Sequence, residues 1–96
     1  MAYLTLDKNK LKHNYTYLEQ LFSSHGIEWA VVTKLLCGHK DFLKEVLSLG
    51  IRQICDSRIT NLKNIKLMDS SIETIYIKPP ARVNAGLVVN YADISV

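Results

Sequence analysis

The chain has 96 residues, 48% hydrophobic and 22% charged, with Lys and Arg outnumbering Asp and Glu by 12 to 9 for a formal net charge of +3. That length allows one domain at most, burying somewhat more than ~60% of its unfolded surface, and the composition excludes disordered and fibrous classes. No apolar run nears the ~18 residues that cross a bilayer, the start Met1 to Asp7 lacks a basic and then apolar leader, and the basic residues are scattered, so neither a membrane nor a nucleic acid is an expected partner. A cytoplasmic location is expected, with Cys37 and Cys55, which form no C-x-x-C pair, as free thiols packed in the fold.

In chain order, Ala2 to Leu6 reads as a short strand, and Asp7 is placed to cap a helix with Leu11, Tyr15, Leu18, Leu21 and Phe22 at helical spacing, ended by Gly26. Trp29 to Thr33 is a continuous apolar run suited to a strand buried on both faces, and Lys34 stands at its carboxyl end. A short Leu35 to His39 turn leads to a helix from Asp41 to Leu49, stopped by Gly50. The unit then repeats: strand Gln53 to Cys55 and helix Ser57 to Met68, capped by Asp56 or Ser57, then strand Thr74 to Ile77 and, past Pro79-Pro80, helix Ala81 to Tyr91. Ala92 to Val96 opens a fourth strand.

Strands alternating with helices of about ten residues imply right-handed crossovers and a parallel α/β sheet. The short, regular spacing favours a (β/α)8 barrel of the TIM type, of which residues 1–96 would supply the amino-terminal half, since such barrels run to ~250 residues. The strand-like ending Ile94-Ser95-Val96 leads to the expectation of a truncated barrel that, alone, has no activity and pairs its open edges with another copy.

Parallel sheets hold ligands at the carboxyl ends of their strands. Three segments should converge there: Lys34 with its turn, Asp56-Ser57-Arg58, and Lys78-Pro79-Pro80. Partial burial of Lys34 would favour the unprotonated amine that condenses with an aldehyde, so Lys34 is a candidate Schiff-base residue. Arg58 could hold a carboxylate or phosphate through its planar fork, and Asp56 could orient a neighbouring base or hold Arg58. The histidines His13, His25 and His39 are scattered, and Cys37 with His39 is too few ligands for zinc, so no metal is expected. No dinucleotide, P-loop or serine-hydrolase motif occurs.

The segment Ala30-Val31-Val32-Thr33-Lys34-Leu35-Leu36-Cys37-Gly38-His39, with Leu6-Asp7, Leu11 and Asn14 before it, resembles the lysine strand of the alanine racemase fold, the fold-type III pyridoxal phosphate enzymes. Asp56-Ser57-Arg58-Ile59-Thr60-Asn61-Leu62 and Tyr91-Ala92-Asp93-Ile94-Ser95 resemble most the branch that contains ornithine racemase. The resemblance implies an amino-acid racemase, an isomerase using pyridoxal 5'-phosphate, in which Lys34 carries the cofactor as a Schiff base and then acts as one of two acid/base groups at the substrate α-carbon. Arg58, His39 and Asp56 are the further cofactor-binding candidates. The resemblance also implies a homodimer, and a second acid/base group, typically a tyrosine from a later β-rich domain. Gly38 stands where alanine racemases proper carry a phosphate-binding tyrosine, with His39 next to it. The alternatives are a non-catalytic pyridoxal phosphate-binding homeostasis protein on the same barrel, and a half-barrel that self-assembles without catalytic role.

Overall fold

The computed structural model describes residues 5–36 and 39–96; the expected first strand falls mostly, and Cys37 wholly, outside them. The elements run α1 (Lys8–Ser24), β1 (Val31–Val32), α2 (Lys40–Leu47), β2 (Gln53–Asp56), α3 (Ile59–Met68), β3 (Glu73–Tyr76), α4 (Ala85–Tyr91) and β4 (Ile94–Ser95), with 3₁₀ turns at Lys34–Leu36 and Arg82–Asn84. All strand pairs are parallel and the four strands lie in the order β1-β2-β3-β4. A doubly wound sheet reverses its order at a switch point; the four described strands run in sequential order.

Local chemistry accounts for the element ends. The Asp7 carboxylate accepts the Lys10 backbone N–H at 3.0 Å, satisfying one of the donors left over at the start of α1. Gly26 (φ 67°) and Gly50 (φ 85°) follow α1 and α2 in the left-handed conformation that stops a helix cheaply only at glycine. The stretch after Pro79-Pro80 is a 3₁₀ turn before it becomes α4. Arg58 is the amino-terminal cap residue of α3, so neither Asp56 nor Ser57 occupies that position.

The core lies between the sheet and one layer of helices: Leu43 and Val46 of α2, Ile59, Leu62 and Ile65 of α3 and Val88 of α4 close over Ile54 of β2 and Tyr76 of β3. Thr33, Asp56 and Thr74 are buried on that side too. The opposite sheet face carries the in-register row Val32, Cys55, Ile75 and Ile94, of which Val32 and Ile94 are 50% and 42% exposed. The ends of that row are therefore open while Cys55 near its centre is buried, and the continuous apolar run of β1, expected to be buried on both faces, is half exposed at Val32. α1 buries no residue fully; it rests on the core through Leu11 and Tyr15 and clasps Trp29 between Tyr15 and Phe22, with ring centroids 5.5 and 5.3 Å away.

Below the sheet, Asp93 ties β4 to β3. Its carboxylate accepts the Thr74 backbone N–H at 2.9 Å and pairs with Lys66 Nζ at 2.5 Å. The Lys66 hydrogen bond holds the Asp93 carboxyl below the usual carboxylate range, against the opposing pull of burial. Among the described residues no helix is long and apolar enough to cross a membrane.

Candidate active site

The carboxyl end of the sheet is organised around Asp56. Its side chain is fully buried and turned toward the helices, where its two oxygens take three donors. Oδ2 accepts Thr33 Oγ1–H at 3.0 Å and Asn61 Nδ2–H at 3.1 Å, while Oδ1 accepts the Arg58 backbone N–H at 2.9 Å. The β1–β2 register ends at Val32 opposite Cys55, so one further step sets Thr33 opposite Asp56 on the same sheet face. Asp56 thus holds Arg58, by its main chain and not by its guanidinium. It also holds Thr33, the residue before Lys34.

Lys34 follows the anchored Thr33 but lies in the 3₁₀ turn, past the end of the ladder, and is exposed, so the partial burial expected of it is not found within this chain. The reason is local: Thr33 still donates its N–H to the Cys55 carbonyl at 3.0 Å, but its own carbonyl accepts the Leu36 N–H at 2.9 Å, and that bond turns the chain away from the sheet. Arg58 is exposed, and among the described residues its guanidinium makes no ion pair. His39 is exposed at the start of α2, its ring stacked on Phe42 with centroids 4.4 Å apart. Lys78 and Pro79 are exposed just past β3.

Thr33 and Asn61 were not apparent as site residues from sequence. A threonine breaking an apolar strand directly before the lysine, and an asparagine on the buried side of α3, are the signals that carry them. Cys55 is a buried free thiol whose pKa burial pushes up, in keeping with packing. No group of His, Cys, Asp and Glu able to hold a metal occurs among the described residues.

An open cleft of about 970 Å³ lies at the opposite end of the sheet, lined by Tyr15 and Glu19 of α1 with Trp29, Arg52, Gln53 and Glu73 from the strands' amino ends. It lies toward the amino ends of the strands, whereas Lys34 follows the carboxyl end of β1. Trp29 Nε1–H donates to Glu19 at 2.6 Å and Gln53 to Glu73 at 2.7 Å, so polar groups there are spent on one another.

The chain is similar to an ornithine racemase. It is 38% identical over 93 residues to the ornithine racemase of Acetoanaerobium sticklandii, a match that covers 97% of this chain. The chain spans about a quarter of the length of that relative, 26%. No family model and no solved structure matches. The matched stretch includes nearly all of the sheet and hence the Lys34 and Asp56 segments.

Proposed function

We propose that this chain is the amino-terminal half of a (β/α)8 barrel in a pyridoxal phosphate-dependent amino-acid racemase, with Lys34 as the lysine that holds the cofactor. The sequential parallel order, the single helix layer and the apolar row Val32, Cys55, Ile75 and Ile94 on the opposite face, exposed at both ends, support the barrel. The similarity to an ornithine racemase supports the reaction class. The observation that carries the reading is the position of Lys34 directly after Thr33 at the carboxyl end of β1, where one Asp56 carboxylate holds both Thr33 and the Arg58 main chain.

The donor set suits a phosphorylated aldehyde: a primary amine for the carbonyl carbon, and the guanidinium of Arg58 and imidazole of His39 for anionic groups. Bound, pyridoxal phosphate supplies the electron sink that makes proton removal from an amino-acid α-carbon feasible. Lys34 Nζ would hold the cofactor and would serve as the group that takes or returns the α-proton on one face. Arg58 orients a carboxylate or phosphate through parallel N–H donors. Inversion needs a second proton carrier on the opposite face, so the share of the reaction assigned to these 96 residues is the lysine side. A homodimer of the intact protein belongs to the same proposal.

The test is borohydride reduction of the intact protein with pyridoxal phosphate, followed by peptide mass mapping. The adduct is expected at Lys34, and Lys34→Ala should abolish it while leaving the thermal midpoint nearly unchanged, because an exposed lysine contributes little packing. An adduct at Lys40 or Lys78 with Lys34 unmodified would refute the assignment.

A further inference from the structure

We infer that Thr33 and Asp56 are positioning residues for Lys34: the buried hydrogen bond between them fixes where β1 ends and so where the lysine amine stands. The inference rests on Lys34 being the cofactor-holding lysine, and adds what determines its placement. Among the described residues β1 is a two-residue strand paired to β2 alone, so its ladder is a weak support. Thr33 supplies the rest. Only 1% exposed, it is held through all three of its polar groups: N–H to the Cys55 carbonyl at 3.0 Å, carbonyl to the Leu36 N–H at 2.9 Å, and Oγ1–H to Asp56 Oδ2 at 3.0 Å.

The first two bonds use the main chain and do not depend on the side chain introduced by Thr33→Val or Thr33→Ser; the third depends on the threonine hydroxyl. It is also the bond that ties β1 to the β2–α3 turn, because the same carboxylate receives the Arg58 N–H at 2.9 Å and Asn61 Nδ2–H at 3.1 Å. A shift of Thr33 therefore displaces Lys34 relative to Arg58. Sites that bond a ligand covalently on one side and by ion pair on the other lose efficiency with displacements of about 1 Å.

Thr33→Val keeps the branched shape and removes only the hydroxyl, and Thr33→Ser restores it. In the intact protein, pyridoxal phosphate titration followed by visible absorbance, and the rate of borohydride trapping at Lys34, should show Thr33→Val weakened and slowed by about tenfold. Thr33→Ser should stay within about twofold of the wild type, the size of effect expected when the charged hydrogen bond is retained. Asp56→Ala, which removes the acceptor outright, should reproduce the Thr33→Val defect from the other side of the bond, which keeps the test open if one variant folds poorly. Ile65→Val, a core change remote from the rim, lowers the thermal midpoint without altering trapping, so stability alone is separated from placement. If folded Thr33→Val or Asp56→Ala traps at the wild-type rate, or if Ile65→Val is equally slowed, the positioning role is overturned while the Lys34 assignment stands. If Lys34→Ala still forms the adduct, both fall.

Discussion

Replacing Asp56 by alanine should loosen the carboxyl end of the sheet more than any other single polar substitution in the chain. The carboxylate is fully buried and accepts three donors, two of which, Thr33 Oγ1 and Asn61 Nδ2, belong to side chains that are 1% and 6% exposed. With Asp56→Ala those two donors are stranded out of reach of water, at about 1–3 kcal/mol each. The Arg58 N–H is nearer the surface and recovers a water, and the desolvation cost of the carboxylate itself disappears, which offsets part of the loss. The net is about 2–5 kcal/mol, a large fraction of the ~5–15 kcal/mol typical of a domain. Asp56→Asn keeps the shape and one acceptor oxygen, and the Thr33 hydroxyl can reverse to accept from the new amide, so a loss of about 1–2 kcal/mol is expected.

Native-state hydrogen exchange of the intact protein reads this locally. The N–H groups of Thr33 and Leu36, bonded to the Cys55 and Thr33 carbonyls, and of Arg58, bonded to Asp56, report on the site itself. A local loss of about 3 kcal/mol accelerates their exchange by about a hundredfold, with core amides of α3 less affected. Uniform acceleration throughout the chain, an effect of Asp56→Ala below about 1 kcal/mol, or Asn and Ala variants of equal cost would refute the account, because each means the three bonds carry no directional load.

Arg58→Ala should weaken pyridoxal phosphate or amino-acid binding by about tenfold or more, as for loss of a charged contact, while the thermal midpoint barely moves, since its side chain is exposed and its main-chain bond to Asp56 survives the substitution. Equal loss in titration and in thermal midpoint would assign Arg58 a structural role instead. At the other end, the folded pKa of Asp93 is lowered chiefly by Lys66, so its contribution is present above the unfolded value near 3.8 and is lost as pH falls through the lower folded value. Below about pH 4 the β3–β4 edge should loosen, seen as faster exchange of the Val96 N–H bonded to the Tyr76 carbonyl. Lys66→Met should move that loosening to higher pH, and an unchanged midpoint would remove Lys66 as its cause.

The order and type of the elements were legible because their signals are local. Apolar runs bounded by Gly50, Asp69-Ser70-Ser71 and Pro79-Pro80 marked the strands, and helical spacing marked α2 and α3, whose Leu43, Val46, Leu62 and Ile65 are the buried stripe. The bounds failed where pairing decides them. Trp29 to Thr33 has the composition of a strand throughout, yet only Val31 and Val32 meet β2 in register. The stripe of α1 was readable, but Leu21 within it is 41% exposed, because that helix lies at the margin of the core and does not cross it. Lys34 was legible as strand-terminal, but the partial burial expected of it was not found, since local pattern carries no information about what covers a side chain.

Asp56 illustrates the same division within one residue. Its place after β2 makes a helix cap the natural reading, and it does accept a main-chain N–H two residues on. Its bond to Thr33, twenty-three positions away, exists only because parallel register sets the two side by side. With Thr33 held under the helices and its carbonyl accepting the Leu36 N–H, Lys34 is the first residue of the turn that leaves the sheet at its carboxyl end. An apolar pair of the same shape could fill the space between Thr33 and Asp56 at little cost in stability. It would impose no direction, however, and no link to the Arg58 turn. A buried charge held by three donors is an inefficient way to stabilise a sheet edge and an effective way to fix one, which is what a lysine on a two-residue strand requires.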